Sequence, residues 1–164
     1  MNSQSKQRSI NDQSDFKAPE AIKTPAPEGL YTPVVSFGQG LAYCSGAGPY
    51  RADGSLVTGR MGAGASLIEA QEAAALCVEV LLARLEAELG SIDRIRRCVK
   101  MTVFVQATED FKELTQVADG ASALLRERLG AERGTPARSS IGVASLSDDY
   151  LCEIELLIEY NVES

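Results

Sequence analysis

Residues 135–160 read TPARSSIGVASLSDDYLCEIELLIEY. Two apolar runs separated by a short D-D-Y break predict two strands close together in sequence. The first run carries Arg138, whose guanidinium fork suits a carboxylate. The second carries Glu153 among apolar residues, where a carboxylate can act as a general base. If the two strands pair, Arg138 and Glu153 can share one pocket, and we expect that pocket to suit a small acid.

Two amphipathic helices are predicted upstream of this stretch. Ser66 and Glu69 have the spacing of a capping box, and Gly90 follows the last residue of the apolar stripe. A second stripe predicts a helix that Thr108 caps and that Gly130 follows. Each helix is long enough to connect two strands of one sheet as a crossover.

Short apolar runs predict the remaining strands. Residues 33–37 and 41–45 flank a G-Q-G turn and predict a hairpin, and residues 98–105 predict a strand. In that strand we expect one face to consist of Val99, Met101, Val103 and Val105. The element order β-β-(β)-α-β-α-β-β predicts an α+β fold, in which two helices cover one face of a mixed sheet. The other face mixes Lys100, Phe104 and Leu157 with glutamates, a composition typical of a subunit interface.

Length and composition set limits on the class of protein. The 164 residues, 45% of them hydrophobic, predict a polar N-terminal tail over residues 1–20 and a single domain over residues 21–164. The net charge of −7, with no basic run, makes nucleic acid an improbable partner. No stretch is apolar enough for a membrane span or a signal peptide, and the four cysteines form no C-x-x-C. We therefore expect a cytoplasmic protein with reduced thiols and no membrane association.

The chain contains no histidine. Triads built on Ser-His-Asp, Cys-His pairs and histidine-ligated zinc are therefore excluded. Any acid–base chemistry must use carboxylates, Lys, Tyr, Cys, water or the substrate itself.

Several segments, taken in order, resemble the YjgF/Rid family of reactive-intermediate imine deaminases, also described as L-PSP endoribonuclease-like. They span about residues 28–160 and are G-L-Y near Tyr31, C-S-G at residues 44–46, V-K-M-T-V-F-V at residues 99–105, D-F at residues 110–111, P-A-R-S at residues 136–139 and E-I-E at residues 153–155. The resemblance implies a chorismate-mutase-like fold and a homotrimer with ligand pockets between subunits. The sequence looks like a divergent subgroup, because Ala47 follows Ser45-Gly46 where deaminase-type members often have glutamine.

The resemblance also implies roles for individual residues. Arg138 matches the arginine that binds the substrate carboxylate, and Glu153 matches the glutamate that orients or activates the attacking water. Tyr31 matches a tyrosine that lines the pocket from a neighbouring subunit, and Ser45 matches a serine of the pocket wall. Ser140, also expected near the substrate, stands where many members have cysteine, so thiol chemistry is not expected there.

Three functions are compatible with these residues. The first is hydrolytic deamination of small enamine or imine acids to keto acids and ammonia, which requires no metal or organic cofactor. The second is non-catalytic binding of a small carboxylic acid for sensing or regulation. Ribonuclease action ranks last, because the chain is acidic and lacks histidine.

Overall fold

In the computed structural model of the protein, which describes residues 29–162, a five-stranded mixed sheet packs against two long helices. The strands are β1 Val34–Phe37, β2 Leu41–Ala47, β3 Ile95–Gln106, β4 Ala137–Val143 and β5 Cys152–Tyr160, and the helices are α1 Leu67–Leu89 and α2 Leu114–Arg133. This arrangement confirms the predicted α+β class. The predicted tail over residues 1–20 lies outside the described residues.

The strand order is β1-β2-β5-β3-β4. β5 lies between β2 and β3 and is antiparallel to both, whereas β3 and β4 run parallel and are connected through α2. The two C-terminal strands do not pair, because β3 separates β4 from β5, so the condition for a pocket shared by Arg138 and Glu153 within one chain is not met. Strands that are distant in sequence pair here in preference to strands that follow one another. The reason is that both crossover helices must return to the same face of the sheet.

The boundaries of α1 agree with the sequence. The Ser66 hydroxyl accepts a hydrogen bond from the Glu69 backbone N–H at 3.2 Å, and the Glu69 carboxylate accepts one from the Ser66 N–H at 2.8 Å. Both bonds satisfy backbone donors that have no partner within the helix. Gly90, with φ of 84°, ends the helix in the left-handed region, where glycine has no steric cost.

The boundaries of α2 differ from the prediction. Thr108 does not cap the helix; its carbonyl accepts a turn bond from the Phe111 N–H, and α2 begins only at Leu114. Gly130 interrupts the helix with φ of 82° rather than following it, and a further turn continues to Arg133. The apolar periodicity continues through the turn before α2. A prediction from the apolar stripe alone therefore starts this helix too early in the sequence.

The core lies between the sheet and the helices. The alternate β5 residues Cys152, Ile154, Leu156 and Ile158 are at most 1% exposed and form its centre, as the alternation predicted. An irregularity in β3 between Cys98 and Lys100 makes Cys98, instead of Val99, a buried core residue. Helix α1 packs on β2 and β5, and α2 packs on β3 and β4.

The opposite face of the sheet carries exposed apolar side chains. Val35, Phe37, Tyr43 and Ile141 are each between 40% and 51% exposed. The predicted mixture of apolar and charged groups on this face is therefore present in the chain. Within residues 29–162, no helix has the length and apolar character needed to cross a membrane.

Candidate functional site

A cavity of about 500 Å³ opens beside the irregular end of β2. Its volume falls within the range of small-molecule sites, roughly 300–1,000 Å³. The lining combines backbone, hydroxyl and charged groups from the loop before β1, from β2, α1 and β5, and from the loops beside them. The lining residues are Gly29, Tyr31, Ser45, Gly46, Gly48, Tyr50, Arg84, Ser147, Tyr150 and Glu153.

The Ser45-Gly46 segment forms the part of the wall where the pairing of β2 with β5 shifts register. The Ser45 hydroxyl donates to the Thr32 carbonyl at 2.7 Å, which ties this wall to the loop that carries Tyr31. A Cβ atom added to Gly46 would lie 2.1 Å from Oε1 of Glu153. Only glycine at this position therefore allows the Glu153 carboxylate to lie against the backbone of β2.

Glu153 presents a half-buried carboxylate to the cavity. Burial raises the pKa of Glu153 above its ordinary value, and the negative charge of Glu155 raises it further. The Arg84 guanidinium acts in the opposite direction on the same pKa. A carboxylate whose pKa moves toward neutrality is a better general base, since catalytic pKa values are most effective near the working pH.

Arg84 is a pocket residue that the sequence analysis did not identify. Its side chain comes from α1 and is only 6% exposed. Nη1 donates to the carbonyls of Gly46, at 3.0 Å, and of Ser45, at 3.4 Å, while Nε is buried and has no hydrogen-bond partner in the described part of the chain. The available signal was an arginine within the apolar stripe of α1, three residues after Leu81, where a surface helix would carry an apolar residue.

Two tyrosines form another wall of the cavity. The hydroxyl groups of Tyr50 and Tyr150 lie 2.6 Å apart, and their rings meet edge to face at 5.9 Å between centroids. The Tyr150 ring packs directly on Gly48, where an added Cβ would come within 2.6 Å of it. These phenols give the cavity hydrogen-bonding groups on rigid aromatic supports.

Three of the five predicted site residues lie together. Tyr31, Ser45 and Glu153 line the cavity of a single chain, so Tyr31 need not reach Glu153 from a neighbouring subunit. Arg138 and Ser140 are absent from the lining residues within the described part of the chain.

Arg138 lies on the helix-covered side of the β4 edge strand. Its guanidinium donates to Asp119 at 2.9 Å and to the Ser122 hydroxyl at 2.7 Å, both on α2. Glu153 instead alternates with core residues of β5 and so lies on the other side of the sheet. The two groups therefore do not share a pocket within one chain, contrary to the expectation from the sequence.

Ser140 is half-buried and pairs with Val103 across the parallel β3–β4 ladder. It follows Arg138 by two positions, so the two side chains lie on the same side of β4. Residues 29–162 contain no group of three or more Cys, Asp or Glu side chains arranged to hold a metal ion.

Comparison with known proteins places these features in a family. The sequence model of the Endoribonuclease L-PSP family matches residues 21–160. Protein TCP17 of Trypanosoma cruzi is 38% identical over 143 residues, which cover 85% of this chain and 89% of that protein. The resemblance to the YjgF and L-PSP proteins that the sequence motifs indicated is thereby confirmed.

Solved structures show the same fold. Atu1372 of Agrobacterium tumefaciens, a protein of unknown function, superposes with a TM-score of 0.76 at 36% identity, covering 80% of this chain and 83% of that one. The YjgF gene product of E. coli gives 0.61 at 25% identity, with coverage of 88% and 98%. E. coli TdcF, solved with bound serine, gives 0.62 at 24% identity, with coverage of 89% and 100%. The chain therefore belongs to the Endoribonuclease L-PSP family.

Proposed function

We propose that the protein hydrolyses small imine or enamine acids to keto acids and ammonia in the cavity that Glu153 lines. One observation carries this proposal: a half-buried carboxylate of raised pKa lies in a cavity of small-molecule size, beside the Ser45-Gly46 backbone. Family membership supports a role that involves small metabolites. The absence of histidine is compatible with this chemistry, because the imine nitrogen is itself basic.

The reaction needs one base and one water molecule. Glu153 takes a proton from water as the water oxygen adds to the imine carbon, which gives a carbinolamine. Glu153 returns this proton to the nitrogen, which completes the carbinolamine; the hydroxyl proton then transfers to the amine through Glu153, the C–N bond breaks, and ammonia leaves as the carbonyl forms. One water is consumed and one ammonia released, with no change in oxidation state.

Carboxylate recognition by Arg138 requires a second subunit. Since Arg138 and Glu153 lie on opposite sides of one sheet, we place Arg138 of one subunit at the Glu153 cavity of the next. The exposed apolar residues of the open sheet face support assembly of several copies, in line with the proposed homotrimer. In that assembly the guanidinium fork would exchange or share its Asp119 partner with the carboxylate of the ligand.

The direct test is turnover. Short-lived imino acids are generated in place by an amino-acid oxidase, and release of ammonia and keto acid is followed with and without the protein. We expect rates above spontaneous hydrolysis for at least one substrate of the panel. Spontaneous rates across a broad panel would contradict the proposed reaction.

Binding without turnover is the second candidate function, and one observation favours it. TdcF, which shares the fold, was solved with bound serine, and we carry that binding of a small amino acid to this chain as the alternative proposal. Under this alternative, the same groups hold a carboxylic acid as a regulatory ligand, and titration with keto acids gives saturable binding without catalysis. Ribonuclease action has less support, because the net charge of −7 disfavours a polyanion.

A further inference from the structure

Within residues 29–162, Arg84 is a buried cation without a direct anionic partner. Its hydrogen bonds go to two neutral carbonyls, Nε has none, and the ion pairs of the described residues do not include it. A guanidinium that is only 6% exposed loses most of its hydration. That loss is costly unless hydrogen bonds and an opposite charge replace the water.

The position of Arg84 points to where such a charge can bind. Arg84 lines the cavity, and its Nη2 makes no hydrogen bond within residues 29–162. Gly46 contacts both Arg84, through its carbonyl, and Glu153, through its Cα side. The cation and the proposed base therefore border the same short piece of wall, although they do not form an ion pair with each other.

We infer that the ligand of this cavity is a dicarboxylic acid, with one carboxylate bound by Arg84 and the other by Arg138 of the neighbouring subunit. This inference rests on the proposed function, which assigns the carboxylate next to the reacting carbon to Arg138. Arg84 then remains for the distal carboxylate, and the reacting carbon lies between the two beside Glu153. The substrate class is short 2-imino dicarboxylic acids.

The chemistry of 2-imino dicarboxylic acids indicates which class of reaction must supply them. An amino-acid oxidase, whose flavin accepts the two electrons, converts an acidic amino acid to a 2-imino dicarboxylic acid, and hydrolysis of that imine gives a 2-keto dicarboxylic acid. A cavity of about 500 Å³ has room for either compound and for the attacking water.

A pair of matched ligands isolates the distal carboxylate. 2-Oxoglutarate and 2-oxopentanoate have the same chain length and differ only in whether that chain ends in a carboxylate. In calorimetric titrations we expect the wild type to bind 2-oxoglutarate about 10-fold or more tightly, the usual effect of one charge-assisted hydrogen bond. Arg84→Met should reduce the preference to about one, since the thioether cannot donate.

The ratio of the affinities for the two keto acids distinguishes a role of Arg84 in binding the ligand from a role in supporting the cavity wall. If Arg84 has only a structural role and merely holds the Ser45 and Gly46 carbonyls, Arg84→Met should weaken the binding of both ligands equally. That result would overturn the inference. Equal affinities in the wild type would overturn it too. Arg51→Met is the matched control, because Arg51 forms an exposed 3.7 Å pair with Glu72 away from the cavity lining, and it should retain the preference.

Failure of the proposed reaction gives a different result. In one outcome, no imine is hydrolysed above its spontaneous rate, but the preference for 2-oxoglutarate persists and depends on Arg84. The proposed hydrolysis is then contradicted and the proposed ligand class is supported. If imines are hydrolysed but the two keto acids bind equally well, the reaction stands and the ligand class is wrong.

Discussion

Arg84 and Arg138 are both largely buried arginines near the sheet, but their partners differ. Arg138, on β4, has a carboxylate and a hydroxyl of α2 within 2.9 Å. Among the residues that the structure describes, Arg84, on α1, bonds only to carbonyls and its Nε has no hydrogen-bond partner. In one chain, the arginine of the family motif is satisfied and lies away from the cavity, whereas an arginine outside any motif lines it.

The difference teaches that a recognisable motif need not mark the whole site of a single chain. Arg138 can contribute to the cavity only if assembly brings it there, while Arg84 and Glu153 are already in place. The structure of one chain thus contains the carboxylate proposed as the base and one cation, and the proposed trimer supplies the second cation.

Glu153→Gln has the largest expected effect. The amide keeps the shape of the side chain but cannot accept a proton near neutral pH, so imine hydrolysis should fall by ~10²-fold or more. The measurement is ammonia release at saturating substrate. Glu159→Gln, six positions along the same face of β5 and outside the cavity lining, is the control and should retain most of the activity. Equal rates for Glu153→Gln and the wild type would reduce Glu153 to a structural residue.

Arg138→Lys should weaken binding of keto acids by about 1.5–3 kcal/mol, because lysine keeps the charge but loses the two parallel bonds of the fork. Calorimetric titration measures the change. Asp119→Asn provides the control, since it removes the partner of Arg138 in the same chain and leaves the guanidinium intact. If both variants bind ligand as the wild type does, Arg138 serves only the packing of β4 on α2.

Gly46→Ala tests the close approach of Glu153 to β2. The new methyl group would lie 2.1 Å from the carboxylate oxygen, so the side chain or the strand must move. We expect a loss of stability of about 1–3 kcal/mol, measured by urea denaturation, together with reduced turnover. Gly142→Ala is the matched control, because its nearest contacts, at 3.6 Å to Leu114, are ordinary. A stable and fully active Gly46→Ala would show that the contact is unimportant.

The smallest expected effect concerns stability and pH. Because burial raises the pKa of Glu153 in the folded state, ionisation of this carboxyl opposes folding above that pKa. Glu153→Gln should therefore melt at a higher temperature than the wild type at pH 7. The difference should shrink as the pH falls through the raised folded pKa toward the ordinary value for glutamate. A mutant that is less stable at pH 7 would contradict the assigned cause of the shift.

Local signals in the sequence predicted much of the fold. The capping box at Ser66, the terminal glycine at residue 90 and the alternation of β5 each act over a few residues, and each was found as predicted. The position of β3 between β4 and β5 depends on how the crossover helices return to the sheet, which no local pattern encodes. For that reason no local pattern could show that Arg138 and Glu153 lie on opposite sides of the sheet within one chain.

The residues of the candidate site also fall into two groups: those that a local motif identifies and one whose position depends on packing between distant elements. Tyr31, Ser45 and Glu153 were identified by motif and lie together in the cavity. Arg84 was missed because its approach to the Ser45-Gly46 carbonyls depends on the packing of α1 against β2, a contact between elements distant in sequence. A charged residue in an apolar helical stripe was the one signal that could have indicated it.

The central claim is that Glu153 of one subunit and Arg138 of another form one site, and subunit mixing tests it most directly. Arg138→Ala and Glu153→Gln are each expected to be inactive in imine hydrolysis when produced alone. When the two are co-expressed in equal amounts and all the randomly assembled trimers are purified together, about a quarter of the sites should combine an intact Glu153 with an intact Arg138 from the neighbouring subunit. The account predicts recovery of about a quarter of wild-type turnover on this statistical basis. No recovery in confirmed mixed oligomers would contradict a site shared between subunits.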